Sequence, residues 1–474
     1  MMSNYPNILW LMTDEHRTDS LGCYNSSWAA SPNLDRLAER GTRFQTAATP
    51  SPVCVAARTS IFSGLYPHNT GIWFNIPRNS GPGFSMLTDI FHQAGYASAS
   101  FGKQHYVNDR NVFQTETALS EGVQAVSPFE YRPPYNGRDF KMLQHPGPNP
   151  WILGGRYPED PASKSETRAV DACINWLSAK KNENSPFLLR CSFAGPHTPV
   201  VPPAPYDSMI SPDDINIPGE TETMPEDAPQ WIRHDQAVQR DGTCFSSGQV
   251  RQLRSHYYGF SAFIDAQFGR LLDWMNARGL LENTIVAFTA DHGTLLCDYG
   301  MVQKGSFYEP DVNVPLILAG PGIKEDTVLS TPVTTLSLLP TLLELAGLDV
   351  PDACEAPSLA PALQSGSEPL CEPILSEISE RYPHKLTGLS EPLEGVRLGL
   401  RRAMLRMGDW KYCCCLDPDP IEPTLHNLKD DPFERRNLSG SSETADLERN
   451  MARQLTETVG DKPVFGLELT RAEH

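Results

Sequence analysis

Two pairs of polar residues stand directly after short apolar runs of the sequence. Asp14 and Glu15 follow the first run, and Asp291 and His292 follow another run far along the chain. If both runs are parallel strands, their carboxyl ends lie at one edge of a sheet and bring the four side chains together. Carboxylate oxygens with a single imidazole favour calcium, magnesium or manganese over zinc. Either pair alone is typical of a solvated loop, but together they predict a divalent metal site.

A third segment places a cysteine and an arginine four residues apart. Cys54 stands at the predicted start of a helix, Arg58 follows it, and Gly64 lies beyond them. The helix dipole and the neighbouring guanidinium favour an anionic or polar function at this cysteine. A purely structural cysteine is the alternative. A cysteine hydrolase is not favoured, because no Cys-His-Asn arrangement is evident in the sequence.

The elements that must position these residues alternate between strand and helix. This alternation predicts an α/β fold with a large, mainly parallel sheet covered by helices on both faces. Sites in such folds lie at the carboxyl ends of the strands. Strands are predicted at 7–13, 96–101, 187–192, 284–289 and 314–319, and helices at 31–41, 85–94, 165–179, 248–277 and 335–346.

Shifts in composition predict two parts, a catalytic α/β domain at 1–365 and a C-terminal subdomain at 366–474. In the second part, strands at 374–378, 398–407 and 411–416 and a helix at 445–458 predict a small sheet with one helix. The segment 196–242 is rich in proline and acidic residues, which predicts a long surface loop near the rim of the site. The cysteines at 413–415 are interpreted as strand packing.

The charge balance narrows the class of partner. With 39 basic against 58 acidic residues, the formal net charge is −19, and its field would repel nucleic acids and anionic membranes. An anionic substrate therefore needs a local cationic site. No run reaches the ~18 apolar residues of a membrane-spanning helix, and the N-terminus lacks the basic region of a signal peptide. The 11 cysteines form no Cys-x-x-Cys pair, which favours reduced thiols and predicts a cytoplasmic protein.

The segment around Cys54 resembles the signature of the type I sulfatases, whose motif cysteine becomes Cα-formylglycine. Other segments resemble the same family in the same order along the chain: Thr13-Asp14-Glu15, 31–37, Gly102-Lys103-Gln104-His105, 196–199, Asp291-His292-Gly293, 304–309 and 425–438. The match spans 7–438 and is weakest from about 106 to 185. The resemblance implies an alkaline-phosphatase-like fold with a small C-terminal antiparallel sheet and one helix.

The resemblance also implies the reaction, hydrolysis of a sulfate monoester to an alcohol and inorganic sulfate. A hydrated formylglycine at position 54 carries two hydroxyls, so that one attacks sulfur and the other later expels the sulfate. The implied catalytic residues are Cys54, Arg58, Lys103, His105, His197 and Lys304, with either histidine transferring protons and both lysines binding sulfate oxygens. The implied metal ligands are Asp14, Glu15, Asp291 and His292, with calcium as the expected ion and Asn75 as a substrate contact. The implied partners are a small sulfate ester and a formylglycine-generating maturation enzyme.

Three residues depart from the family pattern. Ala56 stands where many members have proline, Glu15 where a second aspartate is common, and Phe101 where a smaller residue is usual. The first departure leaves the identity of the maturation enzyme open. The second leaves open whether Glu15 binds the metal directly.

Two other classes of function remain as alternatives to the sulfatase hypothesis. A sister hydrolase of phosphonate monoesters or phosphodiesters would use the same nucleophile and metal, but such enzymes typically lack the pair Lys103 and His105. A non-catalytic member would keep the Cys54 thiol and only bind anions. The substrate alcohol, whether aryl, alkyl, choline or sugar, depends on loops such as 106–160 and 196–245. The segment 462–466 could reach a neighbouring subunit in a homo-oligomer.

Overall fold

The computed structural model describes residues 5–76, 84–107, 112–118, 143–144, 152–157, 160–180, 185–233, 241–379, 401–416 and 421–460. Every residue that the sequence implicates in catalysis or metal binding lies within these ranges. The segment 462–466 and most of 106–160 lie outside them, so the predictions made for those two segments are not addressed by the structure.

The described residues contain the following elements. The strands are β1 (Asn7–Thr13), β2 (Gly41–Phe44), β3 (Ala47–Ala48), β4 (Ala97–Gly102), β5 (Thr115–Ala118), β6 (Leu143–Gln144), β7 (Ile152–Gly154), β8 (Phe187–Ser192), β9 (Thr284–Ala290), β10 (Leu316–Ala319), β11 (Thr327–Leu329), β12 (Val333–Thr334), β13 (Ile374–Ser379), β14 (Arg401–Met407), β15 (Trp410–Cys415) and β16 (Ile421–Asn427). The α-helices are Pro32–Glu39, Cys54–Ser63, Pro67–Thr70, Leu87–Gln93, Ser165–Ala179, Ser247–Asn276, Glu309–Val312, Leu338–Leu345, Ala360–Ser365 and Ala445–Val459.

A large central sheet carries the site. In the described part of the chain its strands run in the order β11, β2, β10, β9, β1, β8, β4 and β5. Neighbouring strands are parallel except at β10, which is antiparallel to both β9 and β2. The predicted α/β class and the mainly parallel sheet are therefore confirmed. The strand predicted at 314–319 exists, but it begins at Leu316 and runs against its two neighbours.

The burial of β1 explains its continuously apolar sequence. Leu9 and Leu11 pack into the core on one face of the sheet, whereas Trp10 and Met12 pack into the core on the other face. Successive side chains of a strand point to opposite faces, so a strand covered on both faces needs apolar residues throughout. The polar residues that follow Thr13 therefore mark the end of the strand and the edge of the core.

Most predicted helices are present with small shifts at their ends. The helix predicted at 165–179 is Ser165–Ala179, and the long helix predicted at 248–277 is Ser247–Asn276. The helix predicted at 335–346 is shorter, because Thr335–Ser337 form a 3-10 turn before it. Residues 196–233 are irregular apart from 3-10 turns and one short helical stretch at their end, as expected for a loop. Among the described residues, no helix is both long and apolar enough to cross a membrane.

The C-terminal part forms a second, antiparallel sheet of β13, β14, β15 and β16. The helix Ala445–Val459 packs on it, and its Met451 and Leu455 share a core with Leu405 and Tyr412 of the sheet. The three cysteines of β15 are buried, which confirms the interpretation of 413–415 as strand packing. No alternating pattern predicts β16. The domain boundary at 365/366 stays a prediction.

This second sheet packs against the helix that begins at Cys54. Val55 and Ala56 of that helix share a core with side chains of β14 and β15. His68, which follows this helix, is buried with its Nδ1 2.6 Å from Glu377 Oε1 of β13. The C-terminal sheet therefore braces the segment that carries the cysteine.

Candidate active site

The two pairs predicted to bind a metal meet because their strands are neighbours. β1 and β9 are parallel and pair Thr13 with Ala290, the residues directly before Asp14 and Asp291. The backbone N–H of Asp291 donates to the Thr13 carbonyl at 3.2 Å, so the hydrogen bonding between the two strands continues one residue beyond the end of β9. The Asp14, Glu15, Asp291 and His292 side chains are all buried. The structure thus brings together the four residues that the sequence singled out.

Cys54 is the first residue of the helix Cys54–Ser63 and faces this edge of the sheet. Its Sγ lies 3.1 Å from His292 Nε2 and 3.7 Å from Asp14 Oδ1. Asn75 lies at the same helix end, where its Oδ1 accepts a hydrogen bond of 2.9 Å from the Val55 N–H. Because the first N–H groups of a helix lack partners within it, this bond stabilises the helix start. Asn75 therefore orients the residue next to Cys54.

Arg58 lies one helical turn after Cys54 and connects the two strand ends. Its Nε donates to Asp291 Oδ2 at 2.6 Å, and a terminal nitrogen donates to Asp14 Oδ2 at 3.1 Å. The guanidinium is fully buried and also donates to Ser192 at the end of β8. A planar, permanently charged fork suits this bridging of two carboxylates.

Lys103 and His105 enter from the end of β4. The Lys103 Nζ forms an ion pair with Asp14 Oδ2 and lies 3.7 Å from Cys54 Sγ. His105 is close enough to Cys54 for the thiol to influence the pKa of its ring, and its Nδ1 has no hydrogen-bond partner in the part of the chain that is described. Both residues of the Lys-x-His segment therefore face the cysteine.

His197 and Lys304 meet at Glu15. Lys304 Nζ lies 2.5 Å from Glu15 Oε1, and His197 Nε2 lies 3.3 Å from the same oxygen. His197 Nε2 is also 3.9 Å from Asp14 Oδ1. The site thus contains two lysines and an arginine around one buried cysteine, the local cationic site that the net charge requires.

Comparison with known proteins assigns this arrangement to a family. A profile described as Sulfatase matches residues 6–348. The chain belongs to the sulfatase family. An arylsulfatase K from Xenopus laevis is 28% identical to this sulfatase over 452 residues, covering 92% of this chain and 79% of the relative. Sulfate ester hydrolysis is accordingly its reaction.

Solved structures share the fold of this sulfatase. A protein in complex with its substrate D-glucosamine-2-N,6-O-disulfate superposes with a TM-score of 0.77 at 20% identity, covering 97% of this chain and 99% of that chain. A phosphonate monoester hydrolase of Agrobacterium radiobacter superposes with a TM-score of 0.74 at 22% identity, covering 95% of each chain. The predicted alkaline-phosphatase-like architecture is confirmed, and the same fold serves both sulfur and phosphorus chemistry.

The donor set of the sulfatase fits the divalent metal that the family implies. One oxygen each from Asp14 and Asp291, a nitrogen of His292 and the Cys54 sulfur all lie within 4.8 Å of one another. His292 Nδ1 donates to the Gly293 carbonyl at 2.8 Å, so Nε2, which would lose its proton when a metal binds, is the nitrogen available as a ligand. Glu15 falls in a second such group, with Asp14 and His197.

The protonation preferences of the sulfatase site reflect burial and crowding of charge. Burial raises the pKa of Asp291 to about 6, helped by the neighbouring Asp14 carboxylate and opposed by Arg58. Burial and Asp14 would raise the pKa of the Cys54 thiol, but Lys103, Lys304 and His292 outweigh them and lower it well below its usual value. Negative charge at residue 54 is therefore favoured, as a nucleophile requires.

Sequence reasoning missed the residues that support Lys103 and the loop before Lys304. Arg190 of β8 donates to the Lys103 carbonyl at 3.0 Å and to Gln104 Oε1 at 2.6 Å. Arg17 follows the first metal-binding pair and pairs with Asp298 in the loop before Lys304. The proximity of Arg17 to Asp14 in the sequence is a signal that could have found it, whereas Arg190 stands in a buried strand without one.

Proposed function

We propose that this sulfatase hydrolyses a sulfate monoester with formylglycine, made from Cys54, as the nucleophile and calcium as its metal. The observation that carries the proposal is the position of the Cys54 Sγ, 3.1 Å from His292 Nε2 and 3.7 Å from Lys103 Nζ. In the mature enzyme, formylglycine would carry oxygen atoms on Cβ in place of this sulfur, so the position of Sγ marks where the nucleophilic oxygen would lie. A nucleophile on that carbon therefore has both a proposed metal ligand and an ammonium group close to it.

Each surrounding residue has a role that follows from its contacts. When present, calcium supplies positive charge, and hydrated formylglycine supplies two hydroxyls on one carbon: one would take the sulfonyl group from the ester, and the other, on losing its proton, would expel it as sulfate as the bond between that carbon and the first oxygen breaks. Arg58 binds Asp14 and Asp291 and so keeps the metal ligands in place. Lys103 and Lys304 bind the sulfate oxygens, whose charge changes in the transition state.

His197 is proposed as the acid that protonates the leaving oxygen. Its Nδ1 lies 2.5 Å from the Thr198 carbonyl oxygen, and its Nε2 lies 3.3 Å from Glu15 Oε1. Both neighbouring oxygens can accept a hydrogen bond, so the ring is oriented to hold a proton at Nε2 and to pass it to the leaving oxygen. Burial lowers the pKa of His105, which favours the neutral form that can take a proton from the nucleophile.

Calcium is the proposed metal, with magnesium and manganese as the alternatives. The donor set of Asp14, Asp291 and His292 is dominated by hard oxygens, which these ions prefer. Metal content after equilibration with each ion, together with the rise in melting temperature that each produces, ranks the three. Glu15→Gln in the same assay tests Glu15 as a fourth ligand, because loss of a ligand lowers metal affinity and loss of the Lys304 contact alone does not.

The placement of Lys103 and His105 supports sulfate rather than phosphonate monoesters as the substrate. Lys103 Nζ lies 3.7 Å from Cys54 Sγ, and the pKa of His105 is influenced by the same thiol, whereas sister hydrolases of phosphonates typically lack this pair. The ratio of kcat/KM values for 4-nitrophenyl sulfate and for a 4-nitrophenyl phosphonate monoester tests this preference. A higher value for the phosphonate would assign the chain to the sister class.

The direct test of the nucleophile is the mass of the peptide that contains residue 54. The chain is expressed with a formylglycine-generating maturation enzyme, the partner that the proposal requires, and the peptide should carry an aldehyde in place of the thiol. The peptide with Cys413 is the matched control, because that buried cysteine lies outside the signature and keeps its thiol. Full turnover by protein with an unmodified Cys54 would refute the nucleophile. A thiol retained at residue 54 in the presence of the maturation enzyme, with no hydrolysis of sulfate esters, would indicate a non-catalytic member.

We also propose a cytoplasmic location, a domain boundary at 365/366 and assembly as a homo-oligomer. All 11 cysteines are free thiols in the structure, which supports a reducing compartment. Cell fractionation tests the location, limited proteolysis tests the boundary, and sedimentation tests the oligomeric state.

A further inference from the structure

The chain leaves the catalytic edge of the sheet after His292 and returns to it at Lys304 through a buried loop. Four non-glycine residues of this loop have positive φ: Leu296 at 48°, Cys297 at 71°, Tyr299 at 58° and Gln303 at 64°. Non-glycine residues seldom adopt this conformation, and it persists only where the surroundings impose it. Something outside the loop must therefore hold its shape.

Two buried arginines hold the loop through Asp298. Arg17 donates to Asp298 Oδ2 at 2.6 Å, and Arg254 of the long helix donates to Asp298 Oδ1 at 2.6 Å. The same guanidinium groups donate to loop carbonyls, Arg17 to Leu295 at 3.2 Å and Arg254 to Leu296 at 3.2 Å. Burial would raise the pKa of Asp298, but Arg254 and Arg17 outweigh it and lower that pKa. Both oxygens of a charged carboxylate are thus engaged.

Arg17 belongs to the same short segment as Glu15, so this segment is joined to the loop before Lys304 and to Lys304 itself by two ion pairs. Glu15 pairs with Lys304 at 2.5 Å, while Arg17 pairs with Asp298 in the loop that leads to Lys304. The two ion pairs therefore join the same two segments at two points. The hydroxyl of Tyr257 fixes the first segment, because it accepts from the Arg17 N–H at 2.9 Å and donates to the Glu15 carbonyl.

We infer that Asp298 is a positioning residue for the hydrolysis, which holds Lys304 in place through its pairs with Arg17 and Arg254. Asp298 makes none of the contacts to Cys54 found in the structure, so it acts only through the position of the lysine. This inference rests on the proposed role of Lys304 in binding the sulfate oxygens.

The test is a double-mutant cycle on the matured, metal-loaded enzyme with 4-nitrophenyl sulfate as the probe. Asp298→Asn keeps the shape of the side chain but removes its charge, and we expect a loss in kcat/KM of about 10- to 100-fold, the range for a small misplacement of a catalytic group. In the Lys304→Ala background the same substitution should cost less than about twofold, because the group that Asp298 positions is gone. A merely structural role would reduce both enzymes by the same factor.

Two further variants keep the inference open to refutation. Arg254→Gln weakens one of the two pairs while keeping an N–H donor, and it should give a smaller loss that also vanishes without Lys304. If Asp298→Asn does not fold, Arg254→Gln takes its place in the double-mutant cycle. Asp265→Asn is the matched control, because Asp265 is also buried but pairs with the helix Pro32–Glu39, and it should leave kcat/KM within about twofold in both backgrounds.

The outcomes separate the inference from the proposed function. Equal losses in the two backgrounds, or full activity of a folded Asp298→Asn enzyme, would overturn the inference while leaving the role of Lys304 intact. Full activity of Lys304→Ala alone would instead refute the proposed role of Lys304. A lower kcat/KM for Lys304→Ala, together with a further loss from Asp298→Asn that is much smaller in that background than in the parent, would support both the role of Lys304 and the positioning role of Asp298.

Discussion

Replacing Lys103 by methionine removes a buried positive charge from the site while nearly preserving the volume of the side chain. The Lys103 Nζ lies 3.7 Å from the Cys54 Sγ, the atom that stands for the nucleophile. At that distance two unit charges interact by roughly 4 kcal/mol in an effective dielectric of about 20. Only part of a unit charge develops in the transition state, so about 3 to 4 kcal/mol, or roughly 100- to 1,000-fold in kcat/KM, is expected.

The variant should fold, because Asp14 keeps a second partner. Arg58 lies 3.1 Å from the same Asp14 oxygen that Lys103 contacts, so no buried carboxylate is left without a cation. The assay follows 4-nitrophenolate release from the sulfate monoester and, separately, from a phosphonate monoester. The loss in kcat/KM should be smaller for the phosphonate than for the sulfate. Lys411→Met is the matched control, because Lys411 is also fully buried but pairs with Glu309 and Glu434. This substitution should lower the melting temperature and leave kcat/KM of the folded enzyme nearly unchanged.

Two results would refute this reasoning about Lys103. The first is a folded Lys103→Met enzyme whose kcat/KM for the sulfate stays within about threefold of the parent value. The second is an equal loss for the sulfate and the phosphonate, since Lys103 would then not distinguish the two substrates.

Three further predictions follow from the site and its surroundings. Cys54→Ser should fold and react once, because serine has no second hydroxyl on the same carbon to expel the sulfate; intact mass should show one added sulfonyl group, and sustained turnover would contradict it. Chelation, or Asp291→Ala, should abolish turnover and lower the melting temperature, because the metal stabilises only the folded state; full activity of exhaustively chelated, metal-free enzyme would disprove the metal site. Burial raises the pKa of Asp265 to about 6, so the folded state retains this proton more tightly than the unfolded state, and the stability it contributes is lost as the pH rises from about 4 to about 6. The melting temperature of the parent minus that of Asp265→Asn should therefore shrink across this range, and a constant difference would show that Asp265 does not titrate there.

Local sequence already determines several features of this sulfatase. The apolar run of β1 ends at Asp14 because a strand covered on both faces must be apolar until it leaves the core. Cys54 and Arg58 share one face of a helix because residues four apart lie one turn from each other. These inferences need only the periodicity of a strand or a helix, and the structure bears out the elements on which they rest.

Other features of the fold depend on contacts that local sequence does not encode. The direction of β10 cannot be read from its apolar residues, because a buried strand has the same composition whether it runs parallel or antiparallel to its neighbours. Likewise, no pattern around His68 indicates that it pairs with Glu377, more than 300 positions along the chain.

The clearest division lies between the residues of the site and their partners. The sequence by itself determined which side chains stand at strand ends and at the start of a helix, because those positions follow from short-range periodicity. Only the tertiary structure decided that Glu15 pairs with Lys304 and Arg17 with Asp298. These pairs join segments separated by 289 and 281 residues, and the strand order that places β9 beside β1 is what brings them within reach. Charged groups buried at that edge must find partners there because water is excluded.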